Sequence, residues 1–561
     1  MLETTLASSF VPGVNLKGDV AGANWMFLRP SIPADHIACL GVPSASTLAT
    51  LRRFSGQVTM IAGAGSSALP DGCVDMLLVV GHLSQWRLLW DTGLRSEIRR
   101  VLRPDALVYS EHFGILDRLN GALLVAPDAA TASATQRFYL TPRGGELHTA
   151  IPDADPAMAA YFAQHSLYSE TPTVARFKRV LKLVRGRVLG QKAAGSAGQT
   201  KDPKRVVDHL LGRHGVVMGN TGARLSANPP EYLQTIAAAS GIDLSRFRWA
   251  LSAKGEYSSR KLLFFLTDVS RPSVGRPTYI AKMVRDAAFS PRLENEHRAL
   301  ARLEALKIGD LGTVPRSVFY GHHAGLAIVG ETIVDGVPLL DRTDLAAGCR
   351  YLRSAIDWFT TLGVAGAAGR NAAPGETAAT VGGLFARFQE IYQLPPEEER
   401  FLRRQVEVLG EAGASLPLVM QHGDPGIWNM LATPEGRVAI LDWESAEEAG
   451  VPLWDLFYFL RTYAVAAARA GGTRDSLAAF TERFVRPSLL GRASSEAVRS
   501  YCAAVGVPRP LIEPLFYTCW MHRALKEATR LTPARLAQGR YVSLLRLTIA
   551  QSHALQYLTA G

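Results

Sequence analysis

The residues best suited to chemistry lie in one short block. Residues 419–429 read Val-Met-Gln-His-Gly-Asp-Pro-Gly-Ile-Trp-Asn, and 438–444 read Val-Ala-Ile-Leu-Asp-Trp-Glu. Phosphoryl transfer from ATP needs Mg²⁺ to neutralise phosphate charge, a carboxylate to orient the attacking hydroxyl, and a cation on the phosphates left behind. An Asp followed five residues later by an Asn on one tight loop can do two of these jobs. Asp424 would orient the hydroxyl or receive its proton, and Asn429 would ligate metal through its amide oxygen. The apolar run 438–441 reads as a strand that delivers Asp442 as a second hard oxygen ligand. His422 suits bracing the loop better than moving protons.

His-Gly-Asp-x-x-x-x-Asn, then an apolar strand and Asp-Trp-Glu, resembles the aminoglycoside phosphotransferase and choline kinase family, relatives of protein kinases. The resemblance implies ATP and Mg²⁺ as cofactors. It also implies a protein-kinase-like bilobal α+β domain over 247–561, with an N-lobe at 247–335 and a C-lobe at 336–561. Asp455, in Gly-Val-Pro-Leu-Trp-Asp-Leu, would support the catalytic loop. Lys282, in Tyr-Ile-Ala-Lys-Met-Val, would hold the ATP phosphates, with a solvated strand lysine as the plain alternative. Glu296 on the following helix would pair with it; Glu294, two residues away, faces another side. Gly255, Ser258 and Ser259 fall where a phosphate-covering loop belongs, though an ordinary hairpin fits equally. Glu331, Ile333 and Val334 mark a hinge whose backbone would meet the adenine edge, or else a plain edge strand and turn.

The elements that must position these residues read as follows. The kinase-like part opens with strands at 261–267 and 277–284, a helix at 291–306, and strands near 317–320 and 326–334; after 343 the pattern is mostly helical. A chain of 561 residues exceeds the roughly 250–300 that one core supports, so further domains are expected. Residues 15–167 alternate strands (36–41, 57–62, 74–80, 106–110) with helices (44–54, 96–102), the pattern of an α/β domain on a doubly wound parallel sheet. Residues 37–46, 74–80 and 97–105 resemble the first turn, fourth strand and pre-fifth-strand helix of class I S-adenosylmethionine-dependent methyltransferases. Pro43 and Ala45 stand at that family's glycine places, however, and 60–63 lacks the acid that would hold a ribose. The reading is a retained fold with an eroded cofactor site.

Between them, 168–246 is a basic linker or helical region. Its cations crowd 176–205 around a small-residue stretch, 193–200. That run suits an anionic surface, or simply a solvated helix face.

Composition (47% hydrophobic, 20% charged) excludes a disordered or collagen-like chain. A net charge of +11 and a pI near 9.5 favour anionic partners, or reflect an arginine-rich surface; no specific nucleic-acid motif accompanies them. Five unpatterned cysteines suggest a reducing compartment. The first residues lack a signal-peptide pattern, and no apolar run reaches the ~18–20 residues of a transmembrane helix. The expectation is a cytoplasmic protein, with 176–205 as the segment that would bring it to a membrane surface.

Residues 461–561 hold fourteen Lys/Arg against five Asp/Glu. A small-molecule or glycan acceptor, neutral or anionic, fits this better than a polycationic aminoglycoside. The alternatives are a nucleotide-binding pseudokinase scaffold, against which Lys282, Asp424, Asn429 and Asp442 argue, and a bifunctional kinase–methyltransferase acting on a glycan end.

Overall fold

The computed structural model describes residues 21–29, 31–61, 69–82, 90–111, 138–143, 146–152, 215–219, 228–253, 261–270, 276–309, 312–342, 344–367, 372–373, 375–412 and 416–559. The described chain forms two compact units. One comprises Asn15–Glu294 and Ser317–Ile333, the other Asn295–Arg316 and Val334–Gly561.

The first unit holds two sheets. Strands β1 (Ala34–Leu40), β2 (Ser55–Ile61), β3 (Val74–His82) and β4 (Leu102–Glu111) run parallel in the order β2-β1-β3-β4. Their side chains alternate between two apolar clusters, as the period of a strand requires. Ile37, Cys39, Met76, Leu78, Leu107 and Tyr109 share one core with Leu51 of the Ala45–Arg53 helix. Ala38, Leu40, Leu77, Val79 and Val108 meet Leu94, Ile98 and Val101 of the Thr92–Val101 helix. Both helices start where side chains say they should: Ser44 accepts from the Thr47 N–H, and Asp91 from that of Leu94.

The second sheet is antiparallel, in the order β11-β12-β10-β9-β8-β6-β5. Its kinase-like strands are β8 (Phe247–Ser252), β9 (Lys261–Asp268), β10 (Tyr279–Val284), β11 (Ser317–His323) and β12 (Leu326–Thr332). Two features depart from the sequence reading. Strands β5 (Phe138–Arg143) and β6 (Glu146–Pro152) come from the stretch assigned to the N-terminal domain, yet β6 pairs with β8 through Thr149–Ser252 and Ala150–Leu251. Within 168–246, read as linker or helix, β7 (Gly215–Gly219) adds an antiparallel edge to β4, and a helix forms at Glu231–Ala239. A strand's partner is a tertiary fact that local pattern does not carry. The basic run 176–205 lies outside the described residues.

One core serves both sheets. Trp25, Met26, Phe27 and Leu28, on a 3₁₀ turn, pack with Phe247, Trp249 and Phe264. Tyr232 Oη donates to Phe27 O at 2.9 Å, and Arg53 grips Asp286 with two hydrogen bonds of 2.7 and 2.9 Å.

The second unit is mostly helical around two short sheets. One is β13 (Val337–Pro338), β15 (Met430–Ala432) and β16 (Val438–Ile440); the other is β14 (Val419–Gln421) with β17 (Glu447–Gly450). The Trp454–Ala470 helix is buried from Trp454 to Ala468, which explains its near-continuous apolar sequence. No helix among the described residues is long and apolar enough to cross a membrane.

Candidate active site

The site's central loop leaves β14 through Gly423, whose φ of +76° is open to glycine. A Cβ there would fall 1.9 Å from the Ser445 carbonyl oxygen, so the close passage of two backbone segments requires the bare residue. Next to it, Asp455 holds the loop from outside. Its Oδ2 accepts the His422 N–H at 2.5 Å and its Oδ1 the Gly423 N–H at 3.2 Å. Leu453 adopts φ +68° and so starts the Trp454–Ala470 helix with Asp455 in its first turn, where the helix dipole favours an anion. Burial pushes the Asp455 carboxyl pKa up; His422, Arg523 and Lys526 pull it back.

His422 braces the interior of the loop. Its Nδ1 accepts the Asp424 N–H at 3.2 Å, which leaves the proton on Nε2, and Nε2 sits 2.8 Å from Leu441 O. The ring packs against that of Trp443 at a tilt of 54°, with centroids 4.6 Å apart. Both ring nitrogens are thus occupied by backbone, which suits bracing rather than proton transfer.

Asn429 donates Nδ2 to Asp424 O at 2.9 Å, which leaves Oδ1 as the oxygen available to a metal. Strand pairing brings Met430 opposite Ile440, and Leu441 N–H donates to Asn429 O at 2.9 Å. Asn429 therefore lies beside the residue preceding Asp442. Asp442 itself takes φ +70°, ψ +64°, a left-handed conformation that costs a non-glycine residue about 1–2 kcal/mol. The chain beyond it is clamped by the Ser290–Ala305 helix. Glu296 Oε1 accepts the Trp443 N–H at 2.9 Å, and Asn295 Nδ2 donates to Glu444 O and Ala446 O.

Three residues that the sequence reading did not single out surround Asp424, whose side chain is 36% exposed. Arg523 lies 3.3 Å from Asp424 Oδ1, donates to Gly423 O at 3.0 Å, and stacks over the Tyr458 ring at 3.2 Å. Lys526 also donates to Gly423 O, at 3.1 Å. Arg523 and Lys526 sit on the Ile512–Ala528 helix, about a hundred residues downstream; the cation excess of 461–561 is the one signal that pointed there.

In the other unit, Lys282 Nζ lies 2.8 Å from Glu331 Oε1, both side chains buried. Lys282 is opposite Val329 in the β10–β12 ladder, which makes Glu331 its diagonal neighbour on the same face. This adds a side-chain contact to the hinge reading. The hinge reading gave no part to Glu331's side chain, yet its carboxylate is an ionic partner of Lys282. Glu296, which the resemblance pairs with Lys282, accepts the Trp443 N–H through Oε1. Glu294 is exposed and Glu296 buried. Ile333 N–H donates to Thr278 O at 3.3 Å, and Val334 is half-buried. Gly255, Ser258 and Ser259 lie outside the described residues; the carbonyls flanking them, Ala253 O and Lys261 O, both accept from Arg285 Nη2.

Among the described residues no three His, Cys, Asp or Glu side chains cluster as a metal cage. Asn429 with Asp442 is instead the sparse donor set that suits Mg²⁺, which keeps waters and takes further oxygens from phosphate.

Residues 254–489 match the family model described as a phosphotransferase enzyme family. The motif block and Lys282 lie within that span, so the match falls on the C-terminal part of the chain and supports a kinase-like fold there. Similar solved structures include an aminoglycoside phosphotransferase from Streptomyces rimosus, solved with ADP and streptomycin (19% identity, 51% of this chain and 96% of that one, TM-score 0.32). A choline/ethanolamine kinase family protein from Mesorhizobium loti is similar too (18% identity, 55% and 92%, TM-score 0.33), as is the choline kinase LicA from Streptococcus pneumoniae (15% identity, 55% and 93%, TM-score 0.32). No curated protein matches the sequence.

Proposed function

We propose that the C-terminal part of this chain transfers the γ-phosphoryl group of ATP to a hydroxyl of a small molecule or glycan. The observation that carries this reading is the bracing of Asp424, Asn429 and Asp442 on one pair of antiparallel strands and the loop that feeds it. Asp424 orients the acceptor hydroxyl and takes its proton as the oxygen attacks. Asn429 Oδ1 and the Asp442 carboxylate hold Mg²⁺, which when bound supplies charge neutralisation at the phosphates. Lys282 steadies the non-transferred phosphates, with its own position set by Glu331. The backbone of 331–334 meets the adenine. Asp455 and His422 act on the geometry of the loop rather than on substrate.

The acceptor is not a polycation. Arg523 and Lys526 stand at Asp424, and pressing further positive charge against them costs several kcal/mol. For the N-terminal sheet we favour a doubly wound fold with a structural or acceptor-docking role.

The test is ADP formation with Mg²⁺ across neutral and acidic sugars, choline and aminoglycosides. Turnover of a sugar or sugar derivative is the expected result; strong turnover of an aminoglycoside alone would overturn the acceptor assignment.

A further inference from the structure

A second buried guanidinium lies close to the first, and its surroundings are different. Arg461 is one residue before Thr462, whose Oγ1 accepts the N–H of Ile427 in the catalytic loop at 3.3 Å. It is also three residues after Tyr458, on the same face of the Trp454–Ala470 helix. Arg523 covers the Tyr458 ring and Arg461 faces the Tyr541 ring at 5.3 Å; the two phenols are hydrogen-bonded, Oη to Oη, at 3.0 Å. Each guanidinium thus lies over one ring of a single tyrosine pair.

Their charge balance differs. Arg523 has Asp424 and the Gly423 carbonyl. Arg461 is only 3% exposed, its Nε is buried without a hydrogen-bond partner, and among the described residues it has no carboxylate. The charged side chains acting on it, Arg540 and Arg469, are themselves cations, and burial lowers its pKa. A guanidinium does not escape this by losing its proton. A buried charge without a counter-charge costs several kcal/mol, so the arrangement favours whatever brings an anion to it.

We infer that the acceptor carries an anionic group, a carboxylate or a phosphate, that docks on Arg461 while its hydroxyl reaches Asp424. This rests on the phosphotransferase reading above. The arrangement also settles how an anion is tolerated near a catalytic carboxylate: Arg523 already neutralises Asp424. Trp428, 46% exposed and edge-on to Tyr458 at 6.1 Å, gives the body of the acceptor an aromatic surface beside the loop.

The experiment is calorimetry on the full chain with Mg²⁺ and a non-hydrolysable ATP analogue filling the nucleotide site. Glucuronate is compared with glucose and glucosamine, glycerol 3-phosphate with glycerol, and inorganic phosphate serves as the minimal probe. Each acid should bind roughly tenfold or more tightly than its neutral counterpart, with glucosamine weakest. The better of the two acid series distinguishes carboxylate from phosphate. Arg461→Gln should erase the preference and Arg461→Lys restore part of it; if Arg461→Gln does not fold, the wild-type preference and Arg461→Lys decide. Equal binding of neutral or amino compounds, a preference that survives in Arg461→Gln, or no binding of any anion at millimolar concentration overturns the inference. ADP formation in the same mixtures separates the two claims. Anion binding without ADP from any acceptor sinks the kinase reading and keeps the anion site. ADP formed with glucosamine but with neither acid does the reverse.

Discussion

Two strands of this molecule end in a left-handed glycine, and the two turns make different use of it. After β14, Gly423 at φ +76° leads to Asp424, and the next residues are held by Asp455, His422 and Asn429. After β1, Gly41 at φ +102° leads to Val42, 84% exposed, then Pro43 and the helix-capping Ser44. The first turn fixes a carboxylate from several directions. The second presents no ionisable group and ends in a helix cap. A sharp turn at a strand end is therefore only a place for a site; the braced side chains make it one.

That contrast is open to direct attack. The same substitution in both turns should have unequal consequences. Gly423→Ala drives a Cβ against Ser445 O, and we expect a loss of about 4 kcal/mol or more, read as a collapsed melting transition and absent turnover. Asp442→Asn keeps the fold but should raise the Mg²⁺ concentration needed for turnover by at least the roughly 10–100-fold that loss of even an outer metal partner costs; an unchanged Mg²⁺ titration would remove Asp442 from the metal site. Gly41→Ala should cost only about 1–2 kcal/mol of stability and leave turnover unchanged. A large loss of activity there would give the N-terminal turn a chemical role.

A smaller effect is read through pH. His522, stacked on Trp454, has its pKa lowered well below 6.5 by burial and by the charges of Lys526 and Arg523. Below pH 6.5 the unfolded chain then binds the proton that the folded chain refuses. The stability this contributes is whole above 6.5 and declines as pH falls, by at most about 1.4 kcal/mol per pH unit. His36 and His323, lowered mainly by burial, act in the same sense in the other unit. Asp455, raised by burial, acts in the opposite sense. Melting curves from pH 7.5 to 5.5 should flatten for the helical unit in His522→Gln; an unaltered slope would contradict this.

What the sequence made legible follows sequence separation. Asp424, Asn429 and Asp442 fall within nineteen residues, and the strand between them is a plain apolar run, so spacing alone brought them forward. The parallel strands and the kinase-like strands were likewise written as hydrophobic runs bounded by turn residues. Arg523 and Lys526 reach Gly423 across about a hundred residues, and Glu296 reaches Trp443 across 147. No local period encodes such meetings. The Lys282–Glu331 contact depends on the register of two antiparallel strands, and the β5–β6 hairpin on which sheet edge it joins. In each case the missing information was a partner, not an element.

The central claim is that Asp424 is the carboxylate that steers an acceptor hydroxyl. The most direct measurement compares ADP formation by the wild type and Asp424→Asn at saturating Mg²⁺ and acceptor, with nucleotide affinity measured alongside. The account predicts a fall in kcat of roughly 10²–10⁴-fold with nucleotide binding preserved. Turnover within a few-fold of the wild type would contradict it.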